Sequence, residues 1–77
     1  MRILCFGIAK DITGEKELDL ELETPMRVDN LRVALAERYR DLDRLGYMLA
    51  VNEKYAQDDE LVRSEDEVAI IPPVSGG

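Results

Sequence analysis

Hydrophobic residues near the amino terminus follow two patterns, and each pattern predicts a β-strand. Residues 2–9 (RILCFGIA) form an almost continuous apolar run of strand length that includes β-branched and aromatic side chains. Residues 17–23 (ELDLELE) alternate strictly instead, with leucines on one face and acidic residues on the other. Thr13 and Gly14 lie between the two segments and indicate a turn. We therefore predict an antiparallel hairpin over residues 2–23.

After Pro25 the spacing of apolar residues changes from two to three or four, which is typical of an amphipathic helix. Asp29 in the first turn and arginines near the end suit the helix dipole. Arg27 stands where Ser, Thr, Asp or Asn would cap best, so the pattern leaves the first helical residue open. The apolar positions recur at steps of 3, 4, 4 and 3: Val28, Leu31, Leu35, Tyr39 and Leu42.

The second half of the chain contains further strand signals. Residues 47–52 (YMLAVN) predict a short strand that turns at its final asparagine, and Tyr55 begins a brief return strand. Residues 58–67 (DDELVRSEDE) predict an acidic loop with an apolar anchor at 61–62. Residues 67–74 (EVAIIPPV) predict the last strand.

The first and last strands are almost continuously apolar, which is typical of central strands and of parallel neighbours joined by a crossover through a helix. A mixed sheet of four to five strands wrapped over one main helix is the α+β arrangement called β-grasp, as in ubiquitin. We predict this fold as a single domain over residues 1–77, with a flexible tail over residues 72–77.

One helix can cover only one face of such a sheet. If the odd-numbered residues of the first strand face the helix, Leu4, Phe6 and Ile8 emerge on the other face, where Ile71 joins them. An apolar patch of this kind normally marks a binding surface. We therefore predict that Phe6 and Ile71 contact a partner, with Tyr55 near the same surface. A one-residue slip in register would instead place these side chains in the core.

Charge and cysteine content narrow the functional classes. The formal net charge of −7, from 17 acidic and 10 basic side chains, argues against nucleic acid or an anionic membrane as partner and favours a basic protein. One cysteine allows no disulfide framework, which suits a reducing compartment. The first apolar run is too short for a signal peptide, and no run approaches a membrane span. We expect a cytoplasmic protein.

Missing residue types exclude most catalytic machinery. Without histidine there is no histidine-based triad or histidine metal ligand, and one cysteine cannot build a multi-thiolate site. We expect Cys5 to be an inert packed residue on the helix-facing side of its strand. The adjacent acidic residues 58–60 do not converge like a calcium loop and are expected to be a solvated face, so no metal site is predicted. Such a domain is expected to carry or bind something rather than to catalyse alone.

The ending IPPVSGG carries the most specific chemistry of the chain. Tandem prolines stop a strand ladder and hold the chain extended, because each lacks an amide donor and fixes φ. Ser75, Gly76 and Gly77 have almost no bulk, so they suit a narrow tunnel and present an unhindered α-carboxylate. A diglycine end by itself is equally consistent with a frayed terminus. Directly after the last strand of a β-grasp domain, it indicates a carrier.

The chain resembles the small subunits of molybdopterin synthase, the MoaD family of ubiquitin-like sulfur carriers. The resemblance covers essentially all 77 residues. Arg27 and Glu65 depart from the family pattern, at a helix cap and in the turn before the last strand, and neither touches the tail. The segments that carry the resemblance are Phe6 with Lys10-Asp11, residues 28–32, Ala50-Val51-Asn52, residues 66–69 and, most specifically, Pro72-Pro73-Val74-Ser75-Gly76-Gly77.

The resemblance implies a cycle centred on Gly77. An ATP-dependent adenylating enzyme of the ubiquitin-activating type converts the Gly77 carboxylate into an acyl-adenylate, and a sulfur donor protein replaces the AMP to leave a thiocarboxylate. The tail then enters the large synthase subunit, where sulfur passes to cyclic pyranopterin monophosphate. Both AMP and sulfur are transient, and no permanently bound cofactor is expected. Beside Gly77, the resemblance implies a reactive role for Gly76 and partner contacts through Pro72, Pro73, Val74 and Ser75.

The sequence is also compatible with two related functions. A related ubiquitin-like sulfur carrier would serve thiamine synthesis or transfer-RNA thiolation, and a ubiquitin-like modifier would join Gly77 to lysines of other proteins. The PPV before SGG favours the molybdopterin branch. An unactivated binding domain, with a dispensable tail, is a third reading.

Overall fold

A computed structural model describes residues 1–73 of the chain. These residues form a five-stranded sheet, a two-stranded sheet and three helices. The elements in chain order are β1 (Arg2–Cys5), α1 (Gly7–Thr13), β2 (Glu17–Asp19), β3 (Met26–Arg27), α2 (Val28–Arg38), α3 (Arg40–Asp43), β4 (Met48–Val51), β5 (Lys54–Tyr55), β6 (Leu61–Val62) and β7 (Glu67–Ile71).

The main sheet is mixed and has the strand order β2-β1-β7-β4-β5. Its two central strands, β1 and β7, are parallel, with Ile3 opposite Val68 and Cys5 opposite Ile70. Strands β2, β4 and β5 pair antiparallel to their neighbours. The predicted β-grasp fold, its mixed sheet and its parallel central pair are confirmed.

The core lies between the main sheet and α2, and alternate residues of the central strands fill it. Ile3 and Cys5 of β1 are buried, as are Val68 and Ile70 of β7, while the residues between them remain partly exposed. The predicted strand parity is therefore correct, and Cys5 is a packed residue. The helical side of the core consists of Val28, Leu31, Leu35 and Leu42, all fully buried.

The first strand is shorter than predicted, because β1 ends at Cys5 and residues 7–13 form α1. Gly7 has a φ of +54°, a conformation that breaks an extended strand and that glycine adopts without strain. Within α1, Ala9 is buried and Ile12 packs against the core. These two residues are three positions apart, which is the spacing of residues on one face of a helix. Gly14 ends the helix with φ +77°, and its N–H donates to the Lys10 carbonyl at 2.8 Å. The predicted pairing of the first two strands is correct, but a helix rather than a tight turn joins them.

The predicted second strand and the single long helix are also shorter in the structure. Strand β2 covers only Glu17–Asp19, although the next residue still exchanges hydrogen bonds with Met1. The helical pattern is interrupted at Tyr39, whose φ of −134° and ψ of 90° leave the helical region. The chain resumes as α3, and this change of direction carries Leu42 into the core.

The acidic segment predicted as a loop takes part in a second sheet. Its residues 61–62 form β6, which pairs antiparallel with β3, and Val62 is fully buried. The same segment caps α2, because the N–H groups of Val28 and Asp29 donate to the carbonyls of Glu60 and Asp58 at 2.9 and 3.0 Å. Backbone carbonyls from a distant segment thus replace the side-chain cap that is missing at Arg27.

Replacing Cys5 by serine is expected to lower the free energy of unfolding by roughly 1–3 kcal/mol, because a hydroxyl is buried where no partner is provided. Urea denaturation of the two proteins measures the change. An unchanged unfolding free energy would contradict the packing described for Cys5, which is 2% exposed.

Candidate functional site

The sheet face opposite α2 carries a shallow apolar groove with a volume of about 340 Å³. Leu4 of β1 contributes to its floor, together with Ala69 and Ile71 of β7 and Ala50 of β4. These side chains point away from the helix because their neighbours in each strand point into the core. The groove is the apolar surface that the strand parity predicts.

Two aromatic side chains flank this groove and are unusually exposed. Phe6 is 48% exposed and follows β1 in an extended conformation, and Tyr55 in β5 is 64% exposed. Both line the groove together with Ile71, so the structure brings the predicted contact residues Phe6, Tyr55 and Ile71 onto one surface. The same expectation for Ile8 is wrong, because Ile8 lies in α1 and does not line the groove.

The last strand leads from this groove toward the tail. Strand β7 ends at Ile71, and Pro72 and Pro73 follow outside the ladder, as the missing proline amides require. Pro72 lies close to Gly7, since a β-carbon built on Gly7 would come within 3.3 Å of Pro72 Cγ. The predicted site residues Val74, Ser75, Gly76 and Gly77 lie outside the described residues.

The charged residues around the groove are unevenly distributed. Glu53 and Glu67 line it at one end. A neighbouring depression, which shares Leu4 and Phe6 with the groove, is lined instead by Lys10 and Lys16 together with Glu17. The patterns that predict strands carry no information about this distribution, and Glu53 and Glu67 were not predicted as residues of the groove. The turn signal at Asn52 is the feature that would have directed attention to Glu53.

The other candidate groups have structural roles. Asp58 faces Arg32, with 3.3 Å between Nε and Oδ1, and Glu60 accepts a hydrogen bond from the Gln57 N–H at 3.0 Å. At the start of α2, the hydrogen bond from Arg27 holds the pKa of the Asp29 carboxyl below its usual value. Within residues 1–73, no group of three or more potential ligands is arranged to hold a metal ion.

None of the helices within the described part of the chain is both long and apolar enough to cross a membrane.

A β-grasp domain of this topology, with an apolar groove on the outer face of its sheet, has the fold of the ubiquitin-like class of proteins. The ThiS family model matches residues 3–77, and the chain belongs to this family. The resemblance stated from the sequence is confirmed by this match together with relatives that are named as molybdopterin synthase sulfur carrier subunits and are 32–34% identical over 100% of this chain.

A relative and two solved structures illustrate the similarity. The molybdopterin synthase sulfur carrier subunit of Arabidopsis thaliana is 34% identical over 79 residues, which cover 100% of this chain and 82% of that protein. A Pyrococcus furiosus structure, whose name assigns it to subunit 1 of molybdopterin converting factor, has a TM-score of 0.85 at 24% identity and 95% coverage of both chains. Small archaeal modifier protein 1 of Haloferax volcanii has a TM-score of 0.81 at 19% identity, also with 95% coverage of both chains. The two structures establish the fold, which carriers and modifiers share.

The contact between Gly7 and Pro72 leads to a prediction about stability at the base of the tail. Gly7→Ala is expected to lower the free energy of unfolding by more than about 1–2 kcal/mol, the cost of a left-handed conformation for an L-residue, because the new methyl also presses on Pro72. Urea denaturation measures the loss.

Gly14→Ala is the matched control, since Gly14 has φ +77° with no atom within 4 Å of the added β-carbon. It should show the conformational cost alone. In the double variant with Pro72→Ala, Gly7→Ala should cost no more than Gly14→Ala does. Equal losses for the two single glycine variants would show that Pro72 does not constrain this site.

Proposed function

We propose that this chain is a sulfur carrier for molybdopterin synthesis, acting through the α-carboxyl group of Gly77. The observation that carries the proposal is full-length similarity, at 34% identity, to a relative named as the sulfur carrier subunit of molybdopterin synthase. The structure supports it, because β7 contributes Ile71 to the apolar groove and is followed by the PPVSGG ending. One strand therefore joins a docking surface to a group that can react.

The chemistry requires activation of a poor electrophile. A carboxylate oxygen of Gly77 attacks the α-phosphorus of ATP and expels pyrophosphate, which gives an acyl-adenylate. The terminal sulfur of a persulfide on a donor protein then attacks the carbonyl carbon and expels AMP, which gives an acyl disulfide. A second thiol attacks the donor-side sulfur of that link, so that a disulfide forms on the donor and the thiocarboxylate is released on Gly77. That sulfur is the nucleophile offered to cyclic pyranopterin monophosphate.

The proposed partners are an ATP-dependent adenylating enzyme, a sulfur donor protein and the large subunit of molybdopterin synthase, all in the cytoplasm. Within residues 1–73 the groove is lined by apolar side chains, Tyr55 and two glutamates, and the chain contains no histidine. In the proposed function the partners supply the catalytic groups. The carrier supplies the reacting atom, with Gly76, Ser75, Val74 and the two prolines as the segment that enters their active sites.

A protein modifier is the competing function, because the same activated carbonyl reacts with a lysine amine to form an isopeptide bond. Mass spectrometry of the protein from cells separates the two. A carrier shows Gly77 with one oxygen replaced by sulfur, whereas a modifier shows branched peptides on other proteins. Branched peptides without a thiocarboxylate would refute the carrier function.

Deleting Gly77, or adding one residue after it, is expected to abolish sulfur transfer while leaving the unfolding free energy almost unchanged. One extended residue spans about 3.3–3.6 Å, which is as large as the separation of about 3–3.5 Å that reacting atoms require. Molybdopterin formation with purified partners measures the loss, and a thermal melt checks folding.

Cys5→Ser is the matched control for this experiment, since it alters the one thiol of the chain and leaves the tail intact. Its folded fraction should accept and transfer sulfur normally. Normal transfer by the truncated protein, or complete loss of transfer by folded Cys5→Ser, would refute a mechanism based on Gly77.

Phe6→Asp and Ile71→Asp are expected to weaken binding to the large synthase subunit by roughly 2 kcal/mol or more, because each places an unpaired charge in an apolar interface. Binding titrations measure the loss, and thermal melts measure stability. Val33→Asp is the control, since Val33 is 56% exposed on α2 outside the groove. If Val33→Asp weakens binding as much, the groove is not the docking surface.

A further inference from the structure

The turn between β4 and β5 has a conformation that its second residue does not favour. Asn52 and Glu53 form this two-residue turn with φ values of +52° and +69°. Turns of this kind strongly prefer Asn-Gly, because both central residues have positive φ. Asparagine tolerates the left-handed region, whereas a glutamate there is strained. A glycine at position 53 would therefore make the protein more stable than the glutamate that is present.

The Glu53 side chain lies at the end of the apolar groove, beside Glu67. These two are the charged residues among the described groove lining, and the others are apolar or, at Tyr55, aromatic. Asn52, the residue before Glu53, is hydrogen-bonded to the backbone of Glu67: its N–H donates to the Glu67 carbonyl at 2.8 Å, and its Oδ1 accepts from the Glu67 N–H at 3.0 Å. The turn is therefore tied to the first residue of β7.

Neither carboxylate takes part in an ion pair within residues 1–73, although Arg2 is the register neighbour of Glu67 on β1. The side-chain ion pairs there join Arg2 to Glu17, Arg27 to Asp29 and Arg32 to Asp58, and none includes Glu53 or Glu67. Lys54 follows Glu53 directly, but Tyr55 faces the groove, so Lys54 points to the other side of β5. Two unpaired carboxylates beside an apolar surface favour a cationic side chain of a partner.

The acidic end of the groove is far from the tail. Glu67 begins β7 and Ile71 ends it, so about 13 Å of extended strand separates the two positions. A partner that contacts Glu67 at one end of the groove and Ile71 at the other can lie along β7 in one direction only. The end of the partner that receives the tail is then determined as well.

We infer that Glu53 and Glu67 select a partner segment in which an arginine or lysine is flanked by apolar residues. The apolar residues occupy the groove, and the cation lies between the two carboxylates at the end remote from the tail. This inference rests on the proposed function, which makes the large synthase subunit the partner. Glu53 is then a specificity-determining residue. Its strained conformation lowers the stability of the protein, whereas its carboxylate contributes to binding.

The test measures binding of full-length Glu53 variants to the purified large subunit at several salt concentrations. Glu53→Gln is expected to weaken binding about fivefold to tenfold and to reduce its dependence on salt, and Glu53→Lys should weaken it further. Glu53→Gly should raise the melting temperature while weakening binding as Glu53→Gln does. Glu37→Gln, with the same charge change at an exposed position of α2, should bind like the wild type.

The outcomes separate this inference from the proposed function. If all Glu53 variants bind with wild-type affinity and salt dependence while the wild type carries sulfur, the inference is wrong and the proposed function stands. If Glu37→Gln weakens binding as much as Glu53→Gln, the effect is one of net charge and the inference is also wrong. A wild-type chain that neither binds the large subunit nor accepts sulfur would overturn both.

Discussion

The parallel pairing of β1 with β7 is the constraint on which the rest of this structure depends. It places the first strand beside the last, so the intervening chain must cross over the sheet, and α2 covers one face as it does so. Ile3 and Val68 are fully buried under that helix. The alternation of strands then sends Leu4 and Ile71 to the opposite face, where α2 cannot cover them. Burial on one face and an open apolar groove on the other thus have the same cause.

In this arrangement one strand, β7, both lines the groove and leads to the carboxyl-terminal segment that carries Gly77. The residues of β7 that do not support the core line the groove, and the same strand continues into two prolines that cannot extend the ladder. A partner that recognises the groove consequently finds the tail at one end of it. The net charge of −7 opposes association of two copies through the open apolar face and favours basic partners.

The fold does not decide between the proposed sulfur transfer and protein modification, because a structure named as a small archaeal modifier and one named as a molybdopterin converting factor subunit share it. In the proposed chemistry the two functions differ in the nucleophile that a partner presents to the Gly77 carbonyl. Specificity therefore depends on the surface that selects the partner. In this chain the distinctive features of that surface are Glu53, held in a conformation that favours glycine, and its neighbour Glu67.

Local patterns in the sequence were sufficient to predict the central strands, the faces of Cys5 and Phe6, the main helix and the diglycine tail. Alternation and helical spacing are visible in neighbouring residues, so no distant contact is needed to recognise them. Tertiary structure alone decided that residues 7–13 form a helix, because their apolar run suits a strand equally well. It also decided the pairing of β3 with β6, since each is two residues long and is stabilised by a partner more than 30 residues away. Finally, it placed Glu53 and Glu67 on one groove, because Asn52 donates one hydrogen bond to the backbone of Glu67 and accepts another from it, across segments that are distant in the sequence.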